Sequence, residues 1–103
     1  MRVFYHPEFP KDVLKFEAGY VEVSSLLGKR FRKEVDDAVA AVKMSPTSAG
    51  HFLSLGSEIN RKMRRRNLKT FPFFVLYIMV GDRLMFGAVI PSRSDPLTWL
   101  VRF

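Results

Sequence analysis

Six cations fall within nine residues, Arg61, Lys62, Arg64, Arg65, Arg66 and Lys69, with no acid between Glu58 and Asp82. Cations at that density repel one another unless an anion stands among them, so the run points to a polyanionic partner, either nucleic acid or an acidic protein segment. Each cation placed on a phosphate would release counterions and make binding fall steeply with salt. A solvated edge strand guarded by charge against aggregation also fits a basic run. Arg93, in PSRSD, suits the same partner, or it caps a carbonyl or pairs with Asp95. Other chemistry is sparse. There is no cysteine for a thiolate site, and only His6 and His51 offer imidazole. Paired carboxylates, metal-ligand spacing, a Ser/His/Asp set and a glycine-rich phosphate loop are all absent from the sequence. No metal and no cofactor is expected.

The placement of charge says more than the net +7. Residues 1–58 hold eight Lys or Arg against eight acids, whereas residues 59–103 hold nine against Asp82 and Asp95 alone. The whole excess therefore belongs to the second half of the chain. At 103 residues, 48% of them hydrophobic and ten of them Phe, the chain is sized for one domain with a single modest core. The longest apolar run, Phe71 to Val80, is far short of a membrane span and contains Pro72, and MRVFYHPEF turns polar before a signal segment could form. A soluble cytoplasmic protein is expected, with no membrane partner.

The elements that must position the cations are read from periodicity. Phe71 to Arg93 reads as a β-hairpin. Its first arm, Phe73 to Val80, is apolar on both alternations and so covered on both faces. Gly81-Asp82 supplies the turn, and Arg83 to Ile90 returns with Leu84, Phe86, Ala88 and Ile90 on one face. Arg2 to Tyr5 suits a short strand closed by His6-Pro7. Phe9, Val13, Phe16, Tyr20, Val23 and Leu27 then form one helical stripe, with the break at Gly28. Phe31, Val35, Ala38 and Val42 continue as a second helix that Pro46 stops, making an antiparallel helical hairpin. Ser45 to Ser57 reads as a loop. Glu58 to Leu68 reads as a strand pairing the Phe71 arm across Lys69-Thr70, with Lys62, Arg64 and Arg66 on one face and Arg61 and Arg65 on the other. Asp95 and Pro96 start a final short helix through Trp99 and Leu100. Trp99 suits the core better than a base-stacking surface. The fold class is α+β: an N-terminal strand, a helical hairpin packed on a mainly antiparallel sheet of about four strands, and a short C-terminal helix.

Four segments carry a family resemblance: YHPEF with Asp12, LGKRF with EVDDAV, RRRNLKTFPFFVLYIM, and AVIPSRSDPLTWL. With the order of elements, they make the chain resemble the RelE/ParE superfamily of type II toxin–antitoxin toxins. The resemblance implies a growth-inhibiting toxin silenced by a cognate antitoxin that wraps the basic surface in a hetero-oligomer, with Phe16, Tyr20, Arg65, Arg83 and Trp99 expected to face it. RelE-like members resemble ribosome-dependent messenger-RNA endonucleases, and ParE-like members resemble inhibitors of DNA gyrase. Here Phe74 stands where many members carry Arg, Pro91 stands where many carry His, and no His or Tyr follows Tyr77. Without a group to take a proton from a 2′-hydroxyl, the ParE-like branch is favoured. Arg61, Lys62, Arg64, Arg65, Arg66, Lys69 and Arg93 are then expected to bind the target. A messenger-RNA endonuclease, or a non-toxic basic domain of the same fold that binds nucleic acid or protein, remain alternatives.

Overall fold

The computed structural model describes residues 1–48, 50–52, 63–94 and 102–103. The elements run β1 (Arg2–Tyr5), α1 (Glu8–Val23), α2 (Ser25–Met44), β2 (His51–Phe52), β3 (Met63–Asn67), β4 (Phe73–Val80) and β5 (Arg83–Pro91). The strands form one sheet in the order β1-β5-β4-β3-β2. β1 runs parallel to β5, and every other pairing is antiparallel. The α+β class with a helical hairpin on a mostly antiparallel sheet is thus present. One strand is added: β2, inside the segment read as a loop, pairs His51 with Arg65 and Phe52 with Arg64. The C-terminal helix expected from Asp95 lies outside the described residues, as do residues 58–62 of the expected basic strand.

β4 sits at the centre because both its alternations are apolar. Phe73, Val75 and Tyr77 join the cluster under the helices, while Phe74 and Leu76 join a second cluster on the opposite face. The helical side is closed by Phe9 and Val13 of α1 and by Phe31, Val35, Ala38 and Val42 of α2, the inward positions that the helical period selects.

Two boundaries differ from the sequence expectation. The helices part at Ser24, whose extended backbone (φ −165°, ψ 133°) ends α1 and whose hydroxyl accepts the Leu27 N–H at 3.4 Å as the cap of α2. Leu27 therefore belongs to α2, and Val23 falls off the stripe at 75% exposure. Gly28 is no break. It is buried inside α2 against Val21, where a Cβ would overlap that side chain, so it lets the helices close at their elbow. Gly19 is the opposite case, with nothing within 4 Å of a Cβ built on it. Gly19→Ala is expected to raise stability by about 1 kcal/mol and Tm by roughly 5 °C, read by thermal unfolding; an unchanged Tm would contradict the open-space geometry.

The second difference is a β-bulge. Leu76 pairs with Ala88 and Tyr77 with Phe86, which leaves Gly87 as the extra residue. The bulge flips the alternation of β5: Leu84 and Phe86 face the helices, whereas Ala88 and Ile90 join the opposite cluster. The single apolar face expected for Leu84, Phe86, Ala88 and Ile90 is thereby divided. Beyond Tyr5 no strand among the described residues pairs with the outer edge of β5, and side chains bind it there. The Asp12 carboxylate of α1 accepts the Val89 N–H at 3.1 Å, and Arg102 donates to the Gly87 carbonyl at 3.0 Å. Arg102 and Asp12 bind each other through two nitrogens, at 2.6 and 3.3 Å, with each side chain only 14% exposed. The Phe103 ring lies over Gly87, where any Cβ would overlap it.

Candidate basic and apolar surface

Strand alternation divides the basic run between the two sides of the sheet. Met63 is buried in the cluster away from the helices, and Arg65 shares its side. The Arg65 guanidinium lies 4.2 Å from the centre of the Phe74 ring, while its Nε and Nη2 donate to Asn67 Oδ1 at 3.1 and 2.9 Å. Stacking on a ring face and bonding along one edge hold this cation in one orientation. Phe74, standing where many RelE/ParE-like sequences carry Arg, thus serves as the platform of a neighbouring Arg.

Arg64 and Arg66 take the helical side. Arg64 donates to the carbonyls of Thr47 and Gly50 at 2.8 and 3.2 Å, securing the segment after α2. Arg66 lines a small groove with Glu34, Asp37, Ala38 and Lys69. The two-sided alternation expected for the run is thus present, with Arg64 and Arg66 on the helical side and Arg65 on the other, and Arg64 is engaged by the segment after α2. Arg93 is exposed in the turn after β5, and Lys69 is exposed in the β3–β4 turn at the same end of the sheet. Arg61 and Lys62 lie outside the described residues.

Of the residues expected to meet an antitoxin, Phe16 and Tyr20 turn inward. Phe16 packs on Phe73 with ring centres 4.7 Å apart, and Tyr20 packs on Phe31 and Phe71 at 5.3 and 4.8 Å. Their position on the stripe that meets the sheet is the reason, and the outward apolar residues of α1 are Leu14, Val21 and Val23 instead. Arg83 is exposed on the side away from the helices, and Trp99 lies outside the described residues.

Two groups able to move a proton, Tyr77 and His6, are occupied. Tyr77 is fully buried; its hydroxyl donates to the Pro46 carbonyl at 3.1 Å. Burial pushes its pKa above the ordinary phenol value, against the opposing pull of Arg64, Arg66 and a Gly50 backbone bond. His6 Nδ1 accepts the Glu8 N–H at 3.0 Å and so helps start α1. Among the described residues no group of three or more His, Cys, Asp or Glu is placed to hold a metal ion, and no helix is long and apolar enough to cross a membrane.

The turn that carries Lys69 is anchored by a carboxylate. Glu34 of α2 accepts from the Thr70 N–H at 2.8 Å, the Phe71 N–H at 3.3 Å and the Thr70 hydroxyl. Burial works to raise its pKa, but those three bonds and the nearby Arg30 outweigh it and hold the carboxyl below its usual value. A depressed carboxylate stabilises the fold fully above its unfolded pKa of about 4.3, and this contribution disappears as pH falls through the folded value. Glu34→Gln is expected to be less stable than the parent at pH 7, with the gap narrowing toward pH 3 in urea titrations. A gap that is constant with pH would contradict this assignment.

Sequence reasoning did not find the surface formed at the other end of the sheet. Because β1 pairs in parallel with β5, Arg2 lies beside Arg83 and Phe4 beside Met85, and these continue across β4 to Val80 and Ile78. Val3, Leu84 and Met79 take the helical side, so both rows turn away from the helices. Here Phe4, Ile78, Val80, Met85, Arg83 and Phe103 line an open groove of about 510 Å³. Only the alternation within Arg2–Tyr5 and Arg83–Met85 hinted at it, and neither segment reveals its neighbour.

The sequence matches no family model and no curated protein. A solved structure described as the chromosomal ParDE TA system from P. aeruginosa contains a similar chain, with a TM-score of 0.65, at 18% identity. The match covers 90% of this chain and 97% of that one, and at such identity it establishes that the two share a fold.

Proposed function

We propose that this chain is the toxin of a type II toxin–antitoxin pair, silenced by a cognate antitoxin, and that it arrests growth by binding DNA gyrase instead of cutting messenger RNA. The observation that carries the toxin reading is the shared fold with the ParDE chain, over nearly the whole length of both. Preference for binding over cleavage is supported by the proton-transfer groups. Tyr77 is buried with its proton held more tightly than usual, and the position where relatives often carry His is Pro91. Arg65, Lys69 and Arg93 are the target-facing cations among the described residues, with Arg61 and Lys62 part of the same proposal. Arg64 and Arg66 shape the sheet beside them.

Induced expression, with growth, plasmid supercoiling and transcript ends read together, tests this directly. The expected result is arrest with lost supercoiling and unchanged transcript ends, relieved by co-expression of the adjoining open reading frame. Cuts at ribosomal A-site codons would assign the endonuclease instead, and harmless expression would assign a non-toxic domain. Neutralising Arg65 and Lys69 together is expected to abolish arrest in a protein that still folds. Full toxicity of that variant would overturn the role of the basic strand.

A further inference from the structure

We infer that the side of the sheet turned away from the helices, where β1, β5 and β4 meet the β4–β5 turn, is the docking groove for an amphipathic, acidic helix of the antitoxin. This rests on the toxin–antitoxin reading and deepens it. The helix would set its apolar stripe on Phe4, Met85, Ile78 and Phe103 and its carboxylates against Arg2 and Arg83.

Three observations converge. The first is exposed apolar surface around a concavity: Phe4 is 40% and Val80 46% exposed, and both line the groove. Exposed apolar residues gathered around a concavity mark an interaction site more than scattered ones do. The second is charge. Arg2 and Arg83 are directly paired across adjacent strands, and the Arg2 guanidinium stands 5.5 Å from the centre of the Phe4 ring. Like charges side by side on a sheet are unfavourable. Among the described residues no ion pair reaches either of them, and the adjoining Asp82 gives Arg2 a backbone carbonyl only. A carboxylate brought by a partner relieves that repulsion. The third is width. Two strand spacings of about 4.8 Å separate β1 from β4, which matches a helix of about 10 Å diameter lying over β5.

Phe103 forms one wall of the groove, and it is held there by the Arg102–Asp12 pair next to it in sequence. The wall is thus preorganised by a buried ion pair, which lowers the ordering cost of binding.

The test uses the full chain co-expressed with the open reading frame that relieves its toxicity. A photo-crosslinking amino acid is placed at Phe4, at Val80 and, as a control, at Met44, which is 89% exposed at the end of α2. Crosslinks to the antitoxin are expected at the first two positions and not at the third. Val80→Glu with Arg83→Glu is expected to weaken binding at least ~100-fold, while Met44→Glu binds as the parent does. Both altered positions are exposed, so thermal unfolding should be unaffected. A tight complex with no crosslink at Phe4 or Val80, and with the double variant within threefold of the parent, overturns the groove and leaves the toxin–antitoxin reading standing. Crosslinked species of twice the chain mass without antitoxin assign the groove to a second copy and overturn it too. Failure of every form, Met44→Glu included, to bind any relieving partner overturns both.

Discussion

Asp12→Ala is expected to lower the free energy of unfolding by about 3 kcal/mol, because it strands the buried Arg102 cation. The same change removes the acceptor of the Val89 N–H, at the stretch of β5 beyond the end of its pairing with β1. For a domain of this size the loss corresponds to roughly 15 °C in Tm. Arg102→Met should cost a similar amount, since it leaves the Asp12 carboxylate without its cation and the Gly87 carbonyl without its donor. Combining Asp12→Ala with Arg102→Met removes both charges, and its cost should fall well short of the two single costs added together. Urea unfolding of the four proteins gives the coupling. Asp12→Ala within 2 °C of the parent, or strict additivity of the pair, would show that the contact contributes nothing to holding the chain's last described residues on the sheet.

Phe31→Ala is expected to be the most damaging single change in the helical hairpin, at about 4 kcal/mol. The ring is fully buried, with centres 5.1 Å from Phe73, 5.5 Å from Phe71 and 5.3 Å from Tyr20. Truncation opens a cavity among three other rings carried by two separate segments, Tyr20 on α1 and Phe71 and Phe73 at and just before the start of β4, so no single shift can fill it. Phe31→Leu keeps most of the volume and should cost about 1.5 kcal/mol. The measurement is the urea midpoint at constant slope, and a loss below 1 kcal/mol for Phe31→Ala would mean the cluster repacks freely. Phe31 lies one helical turn from Glu34, so this face of α2 both fills the core and anchors the turn bearing Lys69.

Periodicity made most of the architecture legible. The stripe from Phe9 to Tyr20, the run from Phe31 to Val42 and the doubly apolar arm from Phe73 to Val80 each declare an element through spacing alone. Chain geometry at single residues was less accessible. Ser24 and Gly28 are both reasonable helix punctuation, and what separates them is the packing of Val21 against the glycine, a contact between two helices. Gly87 is likewise silent in sequence, yet as an extra residue it sends Ala88 and Ile90 to the other side of the sheet. The alternation of Arg64, Arg65 and Arg66 was legible, but not that carbonyls of the segment after α2 would engage Arg64. Least legible were the pairs Arg2–Arg83 and Asp12–Arg102, which exist only because β1 and α1 meet β5 from opposite ends of the chain.

That last topology orders events in the cell. β1 precedes every other described strand in sequence, yet its partner residues begin 81 positions later at Arg83. Until the ribosome has released β5, Arg2 to Tyr5 have no neighbour to pair with, and pairing so distant in sequence is slow to form. The outer edge of β5 stays open to strand-to-strand association during that interval. A chain in which β1 has not yet paired with β5 therefore displays no assembled groove.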